Sequence, residues 1–268
     1  MSDAKQLRKI VKQKYGQIAK KSTQLSNCGC GCGCDDSGKS DYSVFNDSYE
    51  NLAGYVAEAD LALGCGIPTQ YAQIKPGHTV VDLGSGAGND AFVARSLVGE
   101  TGRVIGIDMT PEMISKANQN LIKIGYTNIE FRLGDIENMP VEDNLVDVVI
   151  SNCVLNLVPD KLQAFSEIYR ILKPGAHFCI SDVVIRGQLP PNLQKSAEMY
   201  TGCVAGALQI NDYLNIIRTA GFTDVEIKTS KSIELPDKIL QDYLSREEIR
   251  EFRNSDVGIY SITVTAKK

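Results

Sequence analysis

The sequence predicts an α/β fold, a mostly parallel sheet with helices on both faces, and three observations carry that reading. From residue 79 onward, short apolar runs alternate with stretches of helical periodicity. The first run, Val80-Val81-Asp82-Leu83, feeds a glycine-rich turn, Gly84-Ser85-Gly86-Ala87-Gly88. The next two runs each lead to an acid, Asp108 and Asp135, at the carboxyl ends where such sheets bind ligands.

Residues 5–20 set Leu7, Ile10, Val11, Tyr15 and Ile18 at helical spacing, opposite Lys5, Arg8, Lys9 and Lys12. This predicts an amphipathic helix packed on the domain or closing over it as a lid. Residues 22–48, rich in Ser, Gly, Asp and Cys, predict a loop. Residues 49–63 carry Leu52, Tyr55, Val56, Ala59 and Leu63 and read as one or two short helices, with a break at Pro68. Strands are predicted at 79–83, 103–108, 128–133, 146–151, 177–184 and near 223–229. Helices are predicted at 88–98, with Phe92, Val93 and Leu97 buried, and at 111–124, 160–172 and 211–220. Thr110 is placed to cap the second of these, with Pro111 at its first position. Lys173-Pro174-Gly175 stops the third. The closing run, 258–266, alternates as a half-covered strand would. The chain divides into 1–75 (helix, Cys-rich loop and lid), 76–184 (ligand-binding core) and 185–268 (an insert, then a closing helix and strands).

A length of 268 residues and an apolar fraction of 43% suffice for a full core. The net charge of −5 argues against nucleic acid as the main partner. No apolar run approaches the ~20 residues of a membrane span, and no secretory signal is visible at Met1-Ser2-Asp3-Ala4-Lys5. The expected setting is the cytoplasm, and the expected form a monomer. Eight cysteines in a reducing compartment then point to metal, metalloid or redox chemistry rather than structural disulfides.

The turn spacing is G-x-G-x-G, not that of the nicotinamide fingerprint. Glycines at Gly84, Gly86 and Gly88 permit positive φ and close approach to a ligand. Asp108 can accept hydrogen bonds from both hydroxyls of a ribose. Asp135 can hydrogen-bond the exocyclic amine of adenine, and Ile136 can pack on the ring. With Asp82, these acids suit a ligand that carries an amino group, a ribose and an adenine but no phosphate. No P-loop lysine is present. S-adenosylmethionine fits this description better than a dinucleotide. Cys153 follows the fourth strand in Ser151-Asn152-Cys153, beside the proposed cofactor, while Cys65 and Cys203 lie in irregular, glycine-flanked segments. Three thiolates converging there would bind a soft trigonal centre. Cys179, inside a strand, reads as core. Cys28, Cys30, Cys32 and Cys34 alternate with glycine and suit a redox relay, a metal clip or a mobile arm.

These residues resemble the S-adenosylmethionine-dependent arsenite methyltransferases, within the class I methyltransferases of Rossmann-like fold. The resemblance runs from about residue 49 to about 225. It is carried by Leu63-Gly64-Cys65-Gly66-Ile67-Pro68, Asp82-Leu83-Gly84-Ser85-Gly86-Ala87-Gly88, Gly106-Ile107-Asp108-Met109-Thr110-Pro111, Ile150-Ser151-Asn152-Cys153-Val154-Leu155-Asn156 and Tyr200-Thr201-Gly202-Cys203-Val204. It implies that Cys153 and Cys203 hold trivalent arsenic, and that Cys65 is the third ligand, partnering an N-terminal cysteine in thiol–disulfide exchange. It implies a cofactor site of Asp82, Gly84, Ser85, Gly86, Gly88, Asp108, Met109, Thr110, Asp135, Ile136 and Asn152. The 185–268 segment would then contribute an arsenic-binding insert. The family's adjacent N-terminal cysteine pair is replaced here by four alternating cysteines, so which of them partners Cys65 stays open. The implied activity converts an arsenite–thiol adduct to mono- and dimethylated arsenicals in detoxification, with glutathione or thioredoxin as external reductant. Two other readings remain open at this stage: methylation of another small acceptor, and thiol-rich metalloid binding without turnover.

Overall fold

The protein is described by a computed structural model over residues 2–25, 47–189, 193, 206–235, 237–242 and 244–268. The four-cysteine loop, Cys28 to Cys34, and Cys203 lie outside these described residues.

Seven strands form one sheet in the order β3-β2-β1-β4-β5-β7-β6. They are β1 (Thr79–Leu83), β2 (Arg103–Asp108), β3 (Ile129–Leu133), β4 (Val146–Asn152), β5 (Leu172–Arg186), β6 (Thr223–Ile233) and β7 (Gly258–Lys267). β1 to β5 pair in parallel, and β7 runs antiparallel to both β5 and β6. The closing strand is therefore interior rather than half-covered: it inserts between β5 and β6, and Ile259, Ile262, Val264 and Ala266 are buried. β5 begins earlier than expected. Leu172 already pairs with Val146, and Lys173 to Ala176 bulge out before the ladder resumes at His177 opposite Val148.

Helices α2 (Asn89–Val98) and α3 (Pro111–Ile124) cover one face, and α4 (Lys161–Ile171) and α5 (Ile210–Thr219) cover the other. Strand alternation feeds both cores. In β1, Val81 and Leu83 join the α4–α5 side with Phe165, Ile168, Phe178 and Tyr213, while Val80 joins Phe92, Val98 and Ile150 on the α2–α3 side. On α2 the inward position at the end of the helix is Val98, not Leu97, which is exposed. Two short helices not foreseen in the sequence, α6 (Asp237–Gln241) and α7 (Arg246–Arg253), precede β7. A third buried cluster sits over the carboxyl end of β5 and joins Cys65 and Cys153 to Val183, Ile185, Leu235 and Ile259.

Residues 49–63 form turns and one 3-10 turn, Ala57–Ala59, instead of the expected short helices. Gly54 has φ +85°, and its α-carbon approaches the Phe92 carbonyl too closely for any Cβ. The segment is thus bent over α2 rather than wound. The N-terminal helix α1 (Ser2–Leu25) forms as expected, and its inward face keeps Val11, Tyr15 and Ile18 but is rotated to take in Arg8. Arg8, Val11, Tyr15, Ile18 and Ala19 form its covered stripe, and Leu7 and Ile10 are exposed. No helix among the described residues is long and apolar enough to cross a membrane.

Candidate functional site

The strand order reverses between β1 and β4, and a cleft opens at their carboxyl ends, as a doubly wound sheet requires. Asp82, Gly84, Ser85, Gly86, Asp108, Met109, Thr110, Asp135, Ile136, Asn152 and Cys153 all line it.

The glycines of the turn have separate uses. Gly86 has φ +53° and no atom close to where a Cβ would stand except the Gly84 carbonyl at 4.0 Å, so it leaves open space in the cleft. Gly84 has φ +65°, and a Cβ there would sit 2.5 Å from a Val154 methyl; it lets the turn after β4 dock against the turn after β1. Gly88 does not line the cleft: it is the N-cap of α2 at φ +99° and packs against Phe92 and Phe131.

The acids behave as a set. Asp108 is held at both oxygens, accepting the Thr110 N–H at 2.8 Å and the Gly86 N–H at 3.1 Å. Thr110 sits at the N-cap of α3 but makes no side-chain cap; its hydroxyl bonds Asp108 instead. Asp82 is 2% exposed, and its Oδ2 has no hydrogen-bond partner among the described residues. Burial and the neighbouring Asp90 and Asp108 push its pKa well up. Burial also raises Asp108, and raises Asp90 to about 6. Such a concentration of buried carboxylates favours a cationic ligand, whose charge would return them to the ionised state. Ser85 Oγ is likewise without a partner among the described residues. An orphaned carboxylate oxygen, an open glycine cradle and a fixed ribose-type acceptor fit S-adenosylmethionine.

Asp135 is half-exposed and engaged by α1. Arg8 lies 3.4 Å from its Oδ2 and also hydrogen-bonds the buried Glu137. Glu137 in turn accepts the Asp160 N–H at the start of α4. The helix thus closes one side of the cleft with Arg8, Val11 and Tyr15. Arg8 was placed on the solvent face by its charge; the two carboxylates beneath α1 turn it inward.

Cys153 caps β4 with φ +59°, a left-handed conformation that a non-glycine residue rarely adopts. Its N–H donates to the Ser181 carbonyl at 2.7 Å, which fixes the turn to β5. Cys65 is buried just behind the cleft wall. The Asn152 carboxamide joins the two: its Oδ1 accepts the Cys65 N–H at 2.9 Å, and its Nδ2 donates to the Gly66 carbonyl at 2.8 Å. Cys65 and Cys153 share one cluster, and both lie near enough to Tyr213 to help raise its phenol pKa. Cys179 is core, its thiol donating to the Pro68 carbonyl, with burial pushing its pKa to about 12. Among the described residues no group of three His, Cys, Asp or Glu is placed to hold a metal ion, and the third cysteine, Cys203, lies outside them.

Tyr49, Asp90, Arg8 and Glu137 are site residues that the sequence reading did not single out. Asp90 had a signal, an acid in the first turn of the helix that follows the glycine turn. Tyr49 and Glu137 had none.

Residues 74–221 match the family model described as a methyltransferase domain. Arsenite methyltransferase of Halobacterium salinarum is 41% identical over 99% of this chain and 68% of its own length. The chain belongs to the arsenite methyltransferase family. The enzyme of that name from Aquipseudomonas alcaligenes is 38% identical over 68% of this chain, which spans 54% of it. Among solved structures, an arsenic(III) S-adenosylmethionine methyltransferase from Chlamydomonas reinhardtii superposes with a TM-score of 0.64 at 37% identity, covering 76% of this chain and 67% of that one. The chain thus spans between about half and two thirds of the length of these relatives. The class I methyltransferase fold accounts for the glycine turn, the terminal acids and the antiparallel β7 together.

Proposed function

We propose that the chain methylates trivalent arsenic with S-adenosylmethionine as the methyl donor. The observation that carries this reading is a thiol, Cys153, held in a left-handed turn on the wall of the cofactor cleft, with Cys65 in the same buried cluster.

Asp82, Asp108 and Asp135, with Gly86 and Ile136, would hold the cofactor, and when bound it supplies an electrophilic methyl group on a sulfonium. The chain's task is then to hold a soft nucleophile opposite. Trivalent arsenic retains a lone pair on thiolate ligands, so no proton has to be removed and the reading assigns no general base. Holding the reactants in near-attack geometry can be worth ~7–11 kcal/mol. Cys203 is the proposed third ligand beside Cys65 and Cys153. Gly206, three residues after it, lies against the Asn156 carbonyl, where a Cβ would stand only 1.8 Å away. Three residues of chain span at most about 10 Å, so the Asn156 turn that follows Cys153 is within tether range. Residues 185–268 are accordingly proposed to supply the arsenic-binding insert.

Methylation formally takes arsenic to the pentavalent state. Two thiolates joining as a disulfide return two electrons, and an external thiol of the glutathione or thioredoxin kind resets them. The proposed electron source is Cys65 with one of Cys28, Cys30, Cys32 or Cys34. Mono- and dimethylated arsenicals are the expected products, in detoxification.

The experiment replaces Cys153 or Cys203 with serine. Each variant should lose arsenite methylation by at least ~100-fold while still binding S-adenosylhomocysteine with wild-type affinity by calorimetry. Turnover retained in either variant would refute the thiolate site.

A further inference from the structure

Cys65 is flanked by Gly64 and Gly66, residues that leave a backbone free to wander. A thiol that must meet a partner at a fixed point needs that freedom removed from outside. The Asn152 carboxamide does so in the manner of a strand neighbour, accepting the Cys65 N–H and donating to the Gly66 carbonyl. Both glycines are required for the fit: a Cβ on Gly64 would stand 2.5 Å from Asn152 Nδ2, and one on Gly66 would stand 2.7 Å from Ser181 Oγ.

The carboxamide is itself held. Asn152 Nδ2 lies 2.9 Å from Tyr49 Oη and 3.2 Å from Asp90 Oδ2. Tyr49 Oη lies 2.8 Å from Asp90 Oδ1 and 3.0 Å from the Gly66 carbonyl. The protons fit one assignment. Tyr49 donates to Asp90 Oδ1, one Asn152 proton goes to Gly66, and the other is shared between Tyr49 Oη and Asp90 Oδ2. An ionised Asp90 is the acceptor on which this pattern closes, and every member is buried or nearly so. Partly satisfied buried networks are costly, whereas complete ones rigidify what they touch.

We infer that Tyr49 and Asp90 are positioning residues for Cys65: through Asn152 they fix the Gly64-Cys65-Gly66 backbone against the wall of the cofactor cleft. The inference rests on the proposed function only for the use of the thiol. The clamp itself is a property of the fold. Tyr49, Asp90, Asn152 and Gly64 all line the cofactor cleft, so the clamp forms the partition between the cleft and Cys65.

The test is thiol reactivity in the full chain, with a phosphine reductant present. Alkylation rates of Cys65 and Cys179 by iodoacetamide are followed by peptide mass spectrometry in wild type, Tyr49→Phe, Asp90→Asn and Asp90→Glu. Loss of one charge-assisted hydrogen bond should loosen the loop and raise the Cys65 rate roughly tenfold in Tyr49→Phe and Asp90→Asn. The Cys179 rate should not change, and Asp90→Glu should recover part of the effect. In the same variants kcat for arsenite methylation should fall more than the KM for S-adenosylmethionine rises. An unchanged Cys65 rate in both Tyr49→Phe and Asp90→Asn overturns the inference. So does a parallel rise at Cys179, which marks general loosening. Alkylation reads the clamp whether or not the wild-type chain methylates arsenite, so failure of the clamp and failure of the proposed function give different results.

Discussion

At the scale of single residues, the site is a contest between burial and charge. Asp82, Asp90 and Asp108 are drawn together at one strand end, and each is held above its usual carboxylate range by loss of water. A cationic ligand binds the ionised forms. Its affinity should therefore rise as pH climbs through about 6, the value for Asp90. Groups facing Asp90 include Tyr49, Asn152, Asp82 and Asp60. Burial pushes Asp82 up in the same direction, so it opposes nothing in this trend. Calorimetry of S-adenosylmethionine between pH 5 and 8, with no arsenite present, checks this; affinity that falls with pH would contradict it. The acids and the glycine turn were legible in the sequence because each occupies a fixed register at a strand end. The division of labour within the turn was not legible. Gly84 is required by Val154, which is 70 positions away in sequence, and Gly88 by two aromatic rings. The conformation of Cys153 was equally hidden, since nothing local marks a cysteine for positive φ.

At the scale of elements, α1 shows where pattern reading fails. Its apolar residues gave the right helix but only part of its inward face: Val11, Tyr15 and Ile18 are covered, while Arg8 takes an inward place against Asp135 and Glu137 and Leu7 and Ile10 stay exposed. Arg8 and Asp135 are each more than a third exposed, so that pair is worth the modest amount of a screened pair, about 0.2–1 kcal/mol, and the contact to buried Glu137 adds to it. Arg8→Ala should accordingly speed release of S-adenosylhomocysteine by roughly fivefold in stopped-flow measurements, an effect that shrinks as salt is raised. An unchanged release rate would remove α1 from the role of lid. The turns at 49–63 mark the opposite error. Their apolar spacing suited helices, but Gly54 at φ +85° bends the chain so that Tyr49 reaches Asp90 and Asn152.

At the scale of the whole molecule, the alternation of apolar runs and helical stretches marked all seven strands along the chain but not their order in the sheet, and the closing strand is the instructive case. A strand between two others is buried on both faces, yet the Ser261, Thr263 and Thr265 alternation of β7 reads as one wet face. Two of those hydroxyls meet partners inside the protein instead: Ser261 donates to the Cys65 carbonyl, and Thr263 shares a hydrogen bond with Ser181. β7 therefore ties the sheet to the thiol loop. Ile262, fully buried among the α4–α5 core, should cost about 2–5 kcal/mol when replaced by alanine. Ile122, 80% exposed, should cost under ~0.5 kcal/mol on the same change. Urea unfolding of both variants measures the difference, and equal losses would displace β7 from the core.

The central claim is that this cleft brings an activated methyl group to thiolate-bound arsenic. Its most direct test is incubation of the full chain with arsenite, S-adenosylmethionine and a thiol reductant, followed by arsenic speciation and quantification of S-adenosylhomocysteine. The account predicts methylated arsenicals in step with S-adenosylhomocysteine, and neither product when Cys153 is serine. S-adenosylhomocysteine formed without any methylarsenical, or methylarsenicals formed equally by Cys153→Ser, would contradict it.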